Sequence, residues 1–533
     1  MSTTTPVLIA GAGLSGLTTA LFLAHHGVPA LVVDRHPGTS VAPKARGQMP
    51  TIMEPFRAAG VAEAIMAAAP PGRPEMTIQI CESVTGAVMH SFTEGFPDYE
   101  MYSPAPTGMA SQAKAEAAIA ARAAELGAEL RFNTRMESWT DGANGVRAVL
   151  TDLVTEETYE VRAEYLVAAT GHRGGAAEEA GIGGHGLGAF EETSTVLFAA
   201  DALIGRVPDT AILMYYMQNP GLPDGAGAFV STDTPGEYVA ALRPDEDRTD
   251  AETIALIRVL TGVPDLDVKL LGADTWPIAH RVADRFRAGR VLLVGDAAHV
   301  MPPTGGQGGN TAMLDGYRLA WKLAAVVKGQ AGAGLLDSHD REWRPYDEVI
   351  ANWQVANMVQ RQAPHLARLR PDLPEADSER LLFGYSPGFG AFVAEPEVHA
   401  MFEDPAAPSG RPGTRAPHVP LDRDGERVST RDLFTREFVL LSASPAARDA
   451  ASAVAARLGV PIEAYVVGAD LADPDGAWAA KYGVDPASGA VLVRPDGVIG
   501  WRTGEFAESG LEDALRVILD RPLTSDGTGS GTV

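Results

Sequence analysis

Cysteine is almost missing from this chain: Cys81 is the single one in 533 residues. An intrachain disulfide is therefore impossible, and no second sulfur exists to resolve an oxidised thiol, which argues against thiol redox chemistry. Positive charge is scarce too. Lys plus Arg number 43 against 69 Asp plus Glu, a formal net of −26, and a surface that acidic argues against nucleic acid or anionic membrane as a partner. No apolar run reaches the roughly 18 residues of a membrane span. No signal peptide precedes Pro6, where the first strand opens. The expectation is a cytoplasmic protein with no bound metal. What is present is ordinary for a globular chain, 45% hydrophobic and 21% charged, and the length calls for two or three domains.

Two glycine-rich segments carry the chemistry. The first is Gly11-Ala12-Gly13-Leu14-Ser15-Gly16. It follows an apolar run at 6–10 and opens a helical pattern at 14–26 with Leu14, Leu17 and Leu21 on one side. Gly27 stops that helix, and 29–34 reads as a second buried strand ending at Asp34. A GxGxxG arises by chance in chains rich in Ala and Gly, but a βαβ unit around it points to a dinucleotide. The glycines admit the pyrophosphate, the helix start offers free N–H groups, and Asp34 can accept from a ribose hydroxyl.

The second segment follows an apolar strand at 290–295. It runs Gly295-Asp296-Ala297-Ala298-His299 and then Pro302-Pro303-Thr304-Gly305-Gly306-Gln307-Gly308-Gly309-Asn310. Asp296 stands where a ribityl hydroxyl would be met, at the carboxyl end of a strand. Gly306, Gly308 and Gly309 can bring backbone amides to a flavin ring. A helix from Thr311 to about Lys328, starting near Asn310, would aim its positive end at flavin N1 and C2=O. A plain surface loop is the alternative. Both segments together read as a seat for FAD.

Elsewhere the pattern is mixed. Short β-rich segments at 77–81, 212–217, 226–231 and 237–242 suggest an antiparallel sheet. A helix at 111–126, a strand at 130–137 and a strand at 161–171 belong with the nucleotide domain. Residues 337–370 read as helical and 384–420 as a Pro/Gly-rich linker. From 437 a βαβαββα order begins, with strands at 437–443, 462–467, 489–494 and 498–502 and helices at 445–458, 475–482 and 509–519. The expected division is a discontinuous Rossmann-like FAD-binding domain (1–74, 106–189 and 275–400) with an inserted substrate-binding sheet (75–105 and 190–274). A linker (401–420), a cysteine-free thioredoxin-like domain (421–522) and a disordered tail (523–533) follow.

These motifs resemble the FAD-dependent aromatic hydroxylases of the p-hydroxybenzoate hydroxylase fold, in particular the bacterial tailoring enzymes of aromatic polyketides. The resemblance implies that Gly11, Gly13, Leu14, Ser15 and Gly16 with Asp34 and Arg35 hold the ADP half. It implies that Arg46, in Pro43-Lys44-Ala45-Arg46-Gly47-Gln48, and Gln112 lie by the flavin. Gly295, Asp296, Gly306, Gly308, Gly309 and Asn310 would meet the ribityl chain and pyrimidine, with Pro303 over the reacting edge. The implied reaction is hydroxylation of, or oxygen insertion into, a polycyclic aromatic polyketide in antibiotic biosynthesis. It would consume O2 and NADPH or NADH and pass through a flavin C4a-hydroperoxide. Arg46, Tyr215, Tyr216 and Arg361 are the catalytic candidates. The tyrosines read equally well as a sheet-packing pair, and Arg361 as a solvated helix face. His299 and His365 read as structural.

One segment departs from the family. Where it shows Gly-Ala-Asp-Gly-x-x-Ser-x-Val-Arg, this chain has Thr170 for the aspartate, Gly174 for the serine and Ala177 for the arginine, with Arg173 close by. That segment is associated with FAD and the pyridine nucleotide. The departure keeps a second reading open, a non-redox polyketide cyclase of the [4+2] type that holds FAD structurally. A monomer and a homodimer are both compatible with the sequence.

Overall fold

The computed structural model describes residues 3–41, 46–70, 73–94, 98–208, 210–397 and 399–523. Pro43, Lys44 and Ala45 of the Arg46 motif and the predicted tail from 524 lie outside them.

Four parallel strands make the centre of the first sheet, in the order Thr158–Ala168, Thr3–Ala10, Ala30–Val33 and Glu129–Arg131. Val291–Leu293 extends it on the Thr158–Ala168 side, also parallel. The segments at its centre, Val7–Ala10, Ala30–Val33, Tyr165–Ala168 and Val291–Leu293, are apolar and buried because both faces are covered. Helices Leu14–His25 and Gln307–Val327 lie on one face, packing Leu17, Leu21, Leu319 and Leu323 into a single core. The register pairs Ala10 with both Val33 and Ala168, and Ala168 with Leu293. Four strand ends therefore share one carboxyl edge, where open α/β sheets bind ligands.

The second sheet has eight strands. Its long members, Gly184–Ala199 and Lys269–Ala283, pair antiparallel through three register irregularities. They cross the expected boundaries at 189/190 and 274/275, so the chain passes between the two sheets within continuous strands. The sheet is not purely antiparallel. Thr210–Gln218 lies parallel to Arg73–Cys81, because the chain makes a long excursion between them and returns in the same direction. Helix Asp250–Thr261 covers one face, with a capping box in which Thr249 and Glu252 satisfy each other's backbone N–H groups. The expected helix at 337–370 ends at Arg361, and a short 3-10 segment, Pro364–Leu369, follows it.

The C-terminal unit has a four-stranded sheet, ordered Ile462–Val466, Phe438–Ser442, Ala490–Val493 and Ile499–Thr503. The stretch at 401–420 is not a free linker. Thr414, Ala416 and Val419 are buried, and Gly413 N–H donates to Ile499 O at 2.8 Å while Ile499 N–H donates to Thr414 O at 2.9 Å. Its proline content keeps it out of helix and strand, yet tertiary contacts pin it. No helix among the described residues is long and apolar enough to cross a membrane.

A buried ionic cluster ties this unit to the first. Lys322 donates to Glu342 at 2.8 Å and to Ser338 at 2.7 Å. Arg494, from the turn after Ala490–Val493, forks onto Glu342 at 2.9 and 2.8 Å and also holds Asp496. All four charged side chains are inaccessible to solvent. Burial depresses Lys322 to about 8, although Glu342 pulls the other way. Removing one member of such a set strands the others without countercharge, at a cost of about 3–5 kcal/mol. Glu342→Gln is accordingly expected to lower the thermal midpoint strongly in a denaturation scan, whereas an exposed pair such as Arg135–Glu137 should be removable with no measurable effect.

Candidate active site

Three loops meet at the carboxyl edge of the parallel sheet. Gly11 leaves the first strand at φ +109°, and a Cβ there would stand 2.1 Å from Ala169 O. A Cβ on Gly16 would stand 1.9 Å from Gly11 O. Those two glycines are demanded by the protein's own packing. Gly13 is different, because a Cβ there would meet nothing nearer than Glu116 Oε1 at 3.9 Å. The bare face at the mouth of helix Leu14–His25 is thus open space, and no side chain caps that helix. Its first N–H groups, at Leu14 and Ser15, suit a diphosphate.

The rim of this mouth is polar and fixed. Asp34 accepts from Ala12 N–H at 2.7 Å and from His36 N–H at 2.8 Å, which holds its carboxylate at the end of its strand. Arg35 is exposed beside it. Glu116 accepts from Ser40 N–H at 2.8 Å and from Gln112 Nε2 at 2.7 Å. Gln112 therefore spends its amide on the rim.

The second glycine segment folds against the first. Gly295, at φ +60°, leaves no room for a Cβ, which would fall 2.6 Å from Ser15 Oγ. Asp296 follows, exposed at the strand's end. Gly295 N–H donates to Asp315 at 2.8 Å, and His299 pairs with the same carboxylate oxygen at 2.7 Å. His299, Asp315 and Asp347 are wholly buried. Burial would depress His299, but Asp315 and Asp347 outweigh it and push the imidazole up to about 9. Burial, with Asp315 beside it, drives Asp347 well above the usual carboxylate range. The arrangement is an imidazolium–carboxylate pair with a protonated neighbour, and it locks the turn that presents Asp296.

The Pro302–Asn310 loop departs from expectation in two details. Helix Gln307–Val327 begins about three residues earlier than predicted, because Gly306 adopts the left-handed conformation (φ +69°, ψ 19°) that starts it. Gly308 and Gly309 therefore sit in the uncapped first turn, where their amides can meet a ligand. Asn310 is a clamp within the protein. Its side chain accepts from Met49 N–H at 2.8 Å and donates to Gly47 O and Gly306 O at 3.2 Å, so its polar atoms are committed to backbone. Pro303 is exposed, and its carbonyl accepts from Gly306 N–H at 3.1 Å. Beneath the loop lie Gln354 and Asn357, which no motif singles out. A Cβ on Gly305 would stand 2.5 Å from Gln354 Oε1, and both polar atoms of the Gln354 amide are buried without a partner.

Of the catalytic candidates, the fold brings two together. Tyr215 and Tyr216 are neighbours in one strand and face opposite ways. Tyr215 packs with Cys81, Leu213 and Phe229 toward helix Asp250–Thr261, and burial raises its hydroxyl to about 12. Tyr216 lies on the other face with Ile80, Ala228 and Phe92. There it meets Arg361, the last residue of helix Asp337–Arg361, whose guanidinium sits 4.6 Å above the Phe92 ring and hydrogen-bonds Tyr216. Burial raises the Tyr216 hydroxyl and Arg361 opposes that rise. Arg46 stands apart from this pair. It pairs with Asp233 at 3.0 Å and donates to Ala211 O at 2.8 Å, tying the small two-stranded sheet of Arg46–Gln48 and Gly108–Ser111 to the second sheet. His365 is at the surface near Glu191.

The departed segment is also explained by packing. Gly174 lies on Thr170, where a Cβ would fall 2.1 Å from Thr170 Oγ1, and Ala177 is buried in the apolar core with Ile182 and Val282.

The chain is similar throughout its length to known proteins. Residues 4–354 match the FAD binding domain family and 409–522 the C-terminal domain of aromatic-ring hydroxylases. Aklavinone 12-hydroxylase RdmE of Streptomyces purpurascens is 42% identical over 97% of this chain and 99% of its own. Tetracenomycin A2 monooxygenase-dioxygenase of Streptomyces glaucescens is 36% identical over 99% and 98%. Among solved structures, aklavinone-11 hydroxylase in a ternary complex with FAD and aklavinone superimposes with a TM-score of 0.91 at 41% identity, covering 97% of this chain and 99% of that one.

Two outcomes follow from the geometry. Gly13→Ala leaves apoprotein stability unchanged, since its Cβ meets open space, but weakens FAD binding by about tenfold or more (about 1.4 kcal/mol); Gly16→Ala destabilises the apoprotein itself. Fluorescence titration with FAD and thermal scans of both variants check this. The His299–Asp315 pair contributes fully below the ordinary imidazole value of about 6.5 and fades as pH rises through about 9. The wild-type thermal midpoint should therefore fall more steeply than that of His299→Gln between those pH values.

Proposed function

Since this chain belongs to the FAD-binding family of aromatic-ring hydroxylases, we propose that it is an FAD-dependent monooxygenase that hydroxylates a polycyclic aromatic polyketide or inserts oxygen beside one of its carbonyls. The observation that carries the substrate reading is the pairing of Tyr216 with Arg361 inside an apolar wall. Tyr216 packs with Ile80, Ala228 and Phe92, and Met358, one turn before Arg361 on the same helix, packs with Ile278 and Ala363. Flat apolar faces suit fused rings, and the tyrosine–arginine pair offers a polar anchor.

FAD, when bound, supplies the redox chemistry that activates O2 for transfer of one oxygen atom. This chain's residues do the rest. Gly13, Leu14 and Ser15 would present amides to the diphosphate, Asp34 would take the ribose and Asp296 the ribityl chain. The uncapped turn at Gly308 and Gly309 favours negative charge on the flavin's pyrimidine end. Arg361, partly desolvated over Phe92, favours the phenolate form of a ring hydroxyl held by Tyr216, which enriches the ring's electrons toward an electrophilic oxygen. The apolar wall keeps water out. Asp233 holds Arg46 against the substrate sheet. NADPH or NADH is the reductant in this reading. The C-terminal unit, 421–522, is read as thioredoxin-like from its βαβαββα order, with a structural role because it has no cysteine. The enzyme is read as working in the cytoplasm.

Anaerobic mixing with NADPH or NADH and an anthracycline-type or tetracenomycin-type aglycone should bleach the oxidised flavin band faster with substrate than without. Retained FAD with no bleaching under any of these conditions would defeat the reading and favour the non-redox cyclase. Tyr216→Phe and Arg361→Gln should each lower kcat by about 10²-fold, the scale of lost acid–base or charge assistance, with the flavin spectrum and FAD content unchanged. Tyr215→Phe should leave kcat near wild type.

A further inference from the structure

Away from every residue assigned to FAD, a small cleft of about 50 Å³ opens between helix Gln307–Val327, helix Asp337–Arg361 and residues 496–498 of the C-terminal unit. Three guanidinium groups line it, those of Arg318, Arg415 and Arg431, together with Tyr317, Trp343, Tyr346, Phe383 and Tyr385. We propose that this cleft is a binding site for a small anion, an inorganic halide or the carboxylate of a small organic acid, held by these arginines at the seam between the cofactor unit and the C-terminal unit.

The argument is one of charge and of unmet donors. Glu54 is shared by Arg415 and Arg431, accepting from Arg431 Nε at 2.9 Å and pairing with Arg415 through its other oxygen. Asp496, the acid that lines the cleft, is taken by Arg494. Arg318 forms no ion pair among the described residues. It lies flat on Trp343, with its guanidinium carbon 3.5 Å from the ring centre, and it reaches the Tyr346 hydroxyl. Its Nη1 is nevertheless buried without a hydrogen-bond partner. Asp347 senses Arg318 but is driven toward its protonated form by burial and by Asp315, so it supplies little countercharge. Arg431 also gives Nη1 to Ala416 O and Gly497 O, and Arg415 gives Nη1 to Tyr102 O, so of the three arginines Arg318 alone keeps a buried donor unmet. A buried guanidinium without a countercharge destabilises the fold unless an anion joins it. Burial and the adjacent Arg431 depress Arg415 to about 10, although Glu54 opposes them, so a further anion would be welcome beside it. Guanidinium groups stacked on aromatic faces are preorganised to grip an anion with paired N–H donors.

The test uses the full-length, FAD-loaded protein at constant ionic strength set by a bulky sulfonate salt. Chloride, bromide and acetate are titrated in separately while the thermal midpoint is followed. A saturable rise is expected with at least one of them; halides acting alone identify an inorganic ligand, and a stronger response to acetate identifies a carboxylate. Arg318→Met, which keeps the stack on Trp343 and drops the charge, should weaken the response at least tenfold, and Arg318→Lys should restore much of it. In crystals soaked with bromide an anomalous peak is expected between Arg318 and Arg415. Equal midpoints in all salts, an Arg318→Met response equal to wild type, or a cleft without a bromide peak would overturn the proposal.

Discussion

Close approach of two helices through glycine is the constraint on which the site depends. Helix Gln307–Val327 lies so near Leu14–His25 that a Cβ on Gly316 would stand 2.7 Å from Thr19 N and 2.8 Å from Ser15 O. The same apposition seats Gly295 on Ser15. Without it, the diphosphate mouth and the flavin loop, about 280 positions apart in the chain, would not share one edge. Backbone-to-backbone packing of this kind tolerates almost no added volume, which is why the glycines at 16, 295 and 316 are structural while Gly13, sitting over open space, is free to serve a ligand.

Buried charge is the second organising element. The His299–Asp315 pair fixes the turn before Asp296, and Lys322, Glu342, Arg494 and Asp496 fasten the C-terminal unit to the helices behind the cofactor edge. Each set costs desolvation and returns a specific geometry. The long helices Gln307–Val327 and Asp337–Arg361 serve both purposes. Their amino-terminal and carboxyl-terminal ends carry Gly308 and Arg361, the proposed site residues, while their middles carry the ions that hold the units in register.

Much of this was legible in the residues themselves. The βαβ unit around Gly11–Gly16 and the strand before Asp296 follow from unbroken apolar runs that meet glycine, and the last unit's βαβαββα order from short apolar runs separated by turn residues. What sequence could not supply was the side on which a side chain falls when tertiary pairing sets the register. Tyr215 and Tyr216 are indistinguishable in the chain, and only the packing of Ile257 and Leu260 against one face of the sheet assigns Tyr215 to the core. Asn310 carries a motif position, yet it turns to the backbone of Gly47 and Met49, which lie more than 260 residues away in sequence.

Local sequence determined that this chain has a dinucleotide mouth, a flavin-type loop and a cysteine-free terminal unit, because glycine conformation, helix starts and apolar periodicity act over a few residues. Tertiary structure alone decided that Tyr216 meets Arg361, that Arg46 is bound by Asp233, and that three arginines from 318, 415 and 431 gather at one cleft. Those contacts depend on how sheets and helices stack, and stacking is set by the volume and charge of partners far along the chain.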